Sequence, residues 1–465
     1  MKTNLGPDLR VKTKLKRTKA FGNAVSKQLA AYDYINPSVE KGGIELDDAV
    51  NEDTRLTQAA IKKAVDIGTQ KKMFDFDLSG GPFKLVSTRN GKHVVTGGKS
   101  GQLSVIDRST MYPMCDFTVD ESVLDVTFLH NYTMFAAAQR KYTYIYDSIS
   151  GSEIHCLKDH AKVTHLDYLP YHFLLVSWAE NGIIRYLDTS TGQNVSRHFS
   201  KLGPCYSLRQ NVSTGVTHVG HGDGCVSLWS PTIAEPVMKI RAHQGPVSAI
   251  ACHNQMNLVT GGGDGKWKVW DLRKPEAPVV SYSYKGATPS SIDVSQTGMV
   301  SVGNGVRVNV YATEVFRTAK LPQPYLTHSV AEGVNSVRFC PYEDLLLLGK
   351  CNGIASVLVP GSGSGAFDSM GVNPFETRNQ RREGEVKSLI EKLRPDMITL
   401  PSNANNVGGV RDPITQEPVF ARKVFGKKQL KRRAMDKTTR AGPNRFEKLG
   451  VSEPTGEYDP LTRFR

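Results

Sequence analysis

The sequence predicts an all-β chain closed into a seven-bladed propeller, and three observations predict it. A unit of two strands joined by a tight turn recurs along the 465 residues at intervals close to 41. The last residue of the turn, a glycine in four copies and Lys141 in a fifth, stands five positions before the aromatic or aliphatic residue that ends the unit in five of the repeats. One copy, His243 to Asp271, carries the full pattern: an upstream His, an apolar run, Gly263-Asp264-Gly265 and a closing Trp270-Asp271. An Asp-Gly turn between alternating runs is a strong hairpin signal, and a period of this length is that of four-stranded blades.

The unit endings are Ile106-Asp107, Tyr146-Asp147, Leu187-Asp188, Trp229-Ser230, Trp270-Asp271, Val310-Tyr311 and Leu358-Val359. Trp-Asp survives once among them, so the periodicity carries the argument. The expectation in full is a seven-bladed WD-repeat β-propeller with basic, partly helical N- and C-terminal extensions. Each blade then buries both faces against its neighbours, and closure leaves no long open edge. In blade five, His243, Thr260, Asp264 and Trp270 are placed to hydrogen-bond inside the blade. A His/Asp/Thr set invites a catalytic reading, but a network satisfying buried polar groups explains it more simply.

In chain order, residues 1–70 form a basic arm with short amphipathic helices. Its first part carries Arg10, Lys12, Lys14, Lys16, Arg17 and Lys19, alternating with other residues as an extended phosphate-tracking run would. Phe21, Val25, Leu29 and Tyr32 then share one helix face, 40–54 reads as an acidic linker, and 55–67 reads as a second helix ended by Gly68. Residues 71–360 hold the propeller, with a strand within 71–80 expected to seal or enter the ring. Residues 361–465 form the C-terminal extension. GSGSG at 361–365 is expected to be a flexible break. A helix at about 376–394 places Val386, Leu389, Ile390 and Leu393 on one face, to dock on the propeller or on a partner. A basic arm follows at 421–450.

Charge is concentrated in the arms. Residues 1–30 hold eight Lys/Arg against one acid, and 421–450 hold eleven against two. Together these stretches carry +16, two more than the whole chain's +14, so the remainder stands at −2. That split is the mark of a near-neutral scaffold with anion-binding extensions. The residues best placed to meet phosphates are Lys427, Lys428, Lys431, Arg432 and Arg433, followed by Arg10, Lys12, Lys14, Lys16 and Arg17.

Several function classes find no support. No run of eighteen apolar residues suggests a membrane span, and the N-terminus has no apolar signal-peptide core. The seven cysteines are scattered, with no Cys-x-x-Cys pair, which fits a reducing compartment. Gly97-Gly98-Lys99-Ser100 and Gly263-Asp264-Gly265-Lys266 imitate the end of a phosphate loop. His93 and Thr260 replace its leading glycine, and both stretches lie between strands rather than opening a helix. No catalytic constellation is visible, nor any cluster of titratable residues converging on the central channel. No cofactor, metal or small-molecule substrate is expected.

Five stretches carry a family resemblance: FLHNYTMFAAAQRKYTYIYD (128–147), LPYHFLLVSWAENGIIRYLDTSTG (169–192), GHGDGCVSLWSP (220–231), HQGPVSAIA (243–251) and NPFETRNQRREGEVKSLIEKLRPDMI (373–398). The last is the most diagnostic, because a generic propeller lacks it. The sequence resembles the nucleolar WD-repeat proteins of the small-subunit processome, the U-three small nucleolar RNA-associated group with a BING-type C-terminal domain. The likeness covers roughly 55–450; the first 50 residues match only in being basic. It implies a non-enzymatic nucleolar component that matures small-subunit ribosomal RNA, with pre-ribosomal RNA, U-three small nucleolar RNA and processome proteins as partners. The rival reading is a generic interaction platform, such as a ubiquitin-ligase adaptor or chromatin-associated scaffold, whose tails are dispensable.

Overall fold

The computed structural model describes residues 13, 17, 20, 43–44, 57–283, 288–316, 323–365, 372–373 and 376–400. Seven four-stranded antiparallel sheets follow one another along the chain. Blade one spans Phe83–Ser87 to Tyr112–Thr118, and blade five runs Val247–His253, Asn257–Gly262, Lys266–Asp271 and Val280–Ser283. Blade seven takes three strands from 334–358 and its fourth from the start of the fold. Asp75–Asp77 pairs antiparallel with Gly353–Leu358, Phe76 opposite Ile354. This is the sealing strand sought within 71–80.

The residue pattern explains the layering. Second strands are covered on both faces and read as nearly unbroken apolar runs, Leu174–Ala179 (LLVSWA) and Leu345–Lys350 (LLLLGK), every residue buried. Outer strands face solvent; Asn194–Phe199 is largely exposed. Lys350 ends its buried run as a cation, and the sealing strand meets it: Lys350 Nζ lies 2.5 Å from Asp75 and 3.5 Å from Asp77. Burial works against that charge, yet the two carboxylates hold its pKa above the usual lysine range.

Helix α1 (Gln58–Ala64) continues the seal. Gln58 donates to Leu358 O and accepts from Leu358 N, each at 3.0 Å, as another strand would. Ile61 is buried among Val310, Leu326 and Leu358. The helix ends at Val65, short of the expected Gly68, which lies inside the separate turn α2 (Ile67–Gln70). Gln70 Nε2 caps the free Val65 carbonyl at 2.8 Å and so permits the break. Within the acidic linker, Ile44 N donates to Tyr325 Oη at 3.0 Å.

The GSGSG stretch is not a flexible break. Gly361 and Ser362 are buried, Thr297 Oγ1 donates to Gly361 O at 2.9 Å, and Gly363 N donates to Asp344 at 2.8 Å. Glycine serves close approach here: a Cβ on Gly363 would lie 2.6 Å from the Glu343 carbonyl carbon. The same holds at the first phosphate-loop imitation. A Cβ on Gly97 would meet Val126 at 2.7 Å, and one on Gly98 would meet Phe83 at 2.8 Å. All seven cysteines are free. No helix among the described residues is long and apolar enough to cross a membrane.

Candidate functional site

Three places in the fold concentrate polar chemistry: the blade-five quartet, the central channel and one face of the disc. In the quartet, His243 Nδ1 lies 3.0 Å from Asp264 Oδ1 and Nε2 lies 2.9 Å from Thr260 Oγ1, while Trp270 Nε1 donates to the same oxygen at 3.0 Å. Burial depresses the His243 pKa, opposed by Asp264. Thr260 is fully enclosed, so no substrate reaches it. Blade three reuses half of this wiring. His160 Nδ1 meets Ser177 Oγ at 2.7 Å, with the same 17-residue spacing as His243 to Thr260. That spacing was readable, but blade three lacks the Trp-Asp ending that drew attention to blade five.

The channel holds the titratable cluster for which the sequence suggested no candidate. Lys84, Asp125, His165, Asp167, Arg209 and Arg338 line a cavity of about 230 Å³. Their charges are spent on one another and on neighbouring blades. Asp125 lies 3.4 Å from Lys84 and 3.6 Å from His165 and accepts from Leu166 N at 3.0 Å. Burial would raise its pKa, but those partners hold it near 2. Asp167 accepts from Gln210 N at 2.9 Å, and its burial pushes its pKa up. Asp293 accepts from Phe339 N at 2.8 Å and pairs with Arg209 at 2.8 Å and Arg338 at 3.6 Å. In all three cases an innermost-strand carboxylate takes a backbone N–H of the next blade. The arrangement braces the ring. Its signal was Leu124-Asp125-Val126, Leu166-Asp167-Tyr168 and Ile292-Asp293-Val294, a charge between apolar residues on three first strands.

The disc face bears the C-terminal extension as a strap. Helix α3 (Arg378–Ile390) starts on a capping box of Thr377 and Gln380 and stops at Glu391, shorter than the 376–394 expected. Its polar side faces the propeller. The Arg381 guanidinium lies 4.9 Å from the Tyr132 ring centre and donates to Tyr132 Oη; Glu385 accepts from Asn131. Beyond the helix, Lys392 donates to Asp188 and to Ser190 Oγ, and Leu393 N donates to Tyr171 O at 3.0 Å. Ile398 and Leu400 then drop into the core shared by blades three to five, and Ser230 Oγ donates to Ile398 O at 2.8 Å. With Glu376 on Asn90 at 3.4 Å, the strap crosses blades one to four. Val386, Leu389, Ile390 and Leu393 point away from the disc, 40–79% exposed. The helix thus lies on the propeller, one of the two docking options, but by its polar side, and the apolar stripe is left exposed.

Arg17 is exposed and, with Thr13 and Ala20, in helical backbone rather than the extended run expected. Arg10, Lys12, Lys14, Lys16, Lys427, Lys428, Lys431, Arg432 and Arg433 lie outside the described residues, as does the helix face from Phe21 to Tyr32. Among the described residues, no group of three or more His, Cys, Asp or Glu is placed to hold a metal ion.

The BING4CT (NUC141) domain matches residues 324–401, which takes in the last strand of blade six (Leu326–Ser329), the three strands of blade seven within 334–358 and the strap. The WD domain, G-beta repeat, matches 234–271. U3 small nucleolar RNA-associated protein 7 of Saccharomyces cerevisiae is 35% identical over 433 residues, covering 88% of this chain and 77% of the yeast protein. The chain belongs to this family. Another member, WD repeat-containing protein 46 of Homo sapiens, is 39% identical over 369 residues, 78% of this chain and 60% of that one. The chain thus spans about three fifths of the human relative it matches. A solved structure titled "Structure of U3-55K" aligns with TM-score 0.54 at 17% identity, over 61% of this chain and 98% of that one, a likeness of fold.

Proposed function

We propose that the protein is a non-enzymatic structural component of the small-subunit processome in the nucleolus. It holds pre-ribosomal RNA, U3 small nucleolar RNA and neighbouring proteins while small-subunit ribosomal RNA matures. Family membership carries this reading, because the yeast relative is named for its association with U3 small nucleolar RNA. The charge distribution supports it: the arms hold the excess positive charge, and the titratable groups of the channel are spent on bracing. In this reading the ring offers rigid surfaces to proteins. Lys427, Lys428, Lys431, Arg432 and Arg433, with Arg10, Lys12, Lys14, Lys16 and Arg17, neutralise phosphates and release counterions.

The test changes Lys427, Lys428, Lys431, Arg432 and Arg433 to Gln in the full chain and measures co-purification with U3 small nucleolar RNA over a salt series. Recovery at physiological salt is expected to drop about tenfold or more. The salt slope should shrink by about 0.7–0.9 per lost phosphate contact. Unchanged recovery and slope would favour the generic platform, an adaptor or chromatin scaffold with dispensable tails.

A further inference from the structure

We propose that the outward stripe of α3 docks an acidic amphipathic helix from a partner protein. The stripe is continuous: Val386, Leu389, Ile390 and Leu393 are 59, 49, 79 and 40% exposed, and each has a neighbour in the stripe three residues away and another four away. About a third of a turn round the helix lie Arg381 and Glu385, which grip the propeller, in register with Lys392 just beyond the helix, so the contact side runs alongside the Leu389 edge of the stripe. No residue of α3 is buried. A thirteen-residue helix is marginal in water unless an apolar face is covered. Here polar contacts and the Ile398 anchor hold it in place, and its apolar face is turned outward. Helix-in-groove recognition uses such anchors.

Charge selects the occupant. Arg378, Arg382 and Arg394 are exposed beside the stripe against one exposed acid there, Glu383, which leaves the flanks net basic, and none of the three arginines has an acidic partner among the described residues. A second copy of this chain would set these arginines against themselves. The chain's own 421–450 stretch, at nine net positive charges, would be repelled likewise. An RNA strand would meet four aliphatic side chains at the centre of the contact. A helix with apolar residues at the same spacing and Asp or Glu on its flanks satisfies both the stripe and the arginines.

The inference does not rest on the processome reading, since the arms and the stripe are probed separately. Ile390 is replaced by photoreactive p-benzoylphenylalanine in the full chain, expressed in its own cells and irradiated there. The expected crosslink is to a segment of another protein that is net acidic and apolar at three- and four-residue spacing. Arg382→Glu with Arg394→Glu should lower that yield at least fivefold while the melting temperature of the purified chain stays put. Crosslinks to RNA, to residues 401–465 of the same chain or to a second copy would overturn the proposal. So would the absence of any crosslink, or a yield indifferent to the charge reversal.

Discussion

At the scale of the residue, the hydrogen bonds that matter are those a single atom shares. Thr260 Oγ1 serves both His243 and Trp270. Thr260→Val strands an indole N–H and an imidazole nitrogen in a sealed interior. It should cost about 1–3 kcal/mol in urea unfolding, whereas Thr260→Ser should retain most of the stability. Buried histidines set the acid limit. Burial holds His93, His218 and His221 near 4, against 6.5 in the unfolded chain. The unfolded state therefore takes up protons first. This contribution is intact above pH 6.5 and drains away down to pH 4, by on the order of 1 kcal/mol per pH unit for each group. Asp125, held near 2, adds its loss only below about pH 4. Melting temperature against pH should therefore fall in two stages, and a flat profile from 6.5 to 4 would contradict the burial of these rings. The quartet was legible because its residues recur at repeat-defined positions. The channel carboxylates were overlooked because each reads, in one dimension, as a lone polar residue interrupting an apolar strand.

At the scale of the element, the strap inverts the usual rule for a surface helix. Amphipathic spacing announced α3 and its apolar face; only the three-dimensional contacts show that the polar side was the one bound. The expectation that apolar faces turn inward fails because α3 rests on Tyr132 and Asn131, polar groups on loops, instead of on a core groove. Two substitutions separate grip from stripe. Ile398→Ala removes the deeper of the strap's two core anchors, costs about 2–5 kcal/mol if fully coupled to folding, and should speed tryptic cleavage within 378–394. Val386→Asp should shift stability by under about 0.5 kcal/mol, since that side chain touches solvent. A large loss from Val386→Asp would mean the helix packs the other way round. The GSGSG stretch was misread for a related reason: composition marks glycines as loose, and packing against Glu343 shows that they are there for want of room.

At the scale of the whole molecule, periodicity was enough for the ring, since seven repeats at one spacing admit few other architectures. Charge bookkeeping likewise placed the excess cations in the arms from the sequence alone. Which partners the faces meet was not legible, because loops that contact a partner obey no period. Closure depends on three residues, Asp75–Asp77, with Lys350 beneath them. A chain beginning at residue 81 should leave the Gly353–Leu358 edge unpaired, melt at lower temperature and self-associate in sedimentation. The same circuit has a consequence in time. Asp77 is synthesised 276 residues before its partner Gly353. At roughly 5–20 residues per second the ribosome needs about 15–60 s to cover that distance. Through that interval the blades accumulate, up to six by Ser329, as an arc with two raw ends, and whatever shields them then decides how much of the protein survives its own birth.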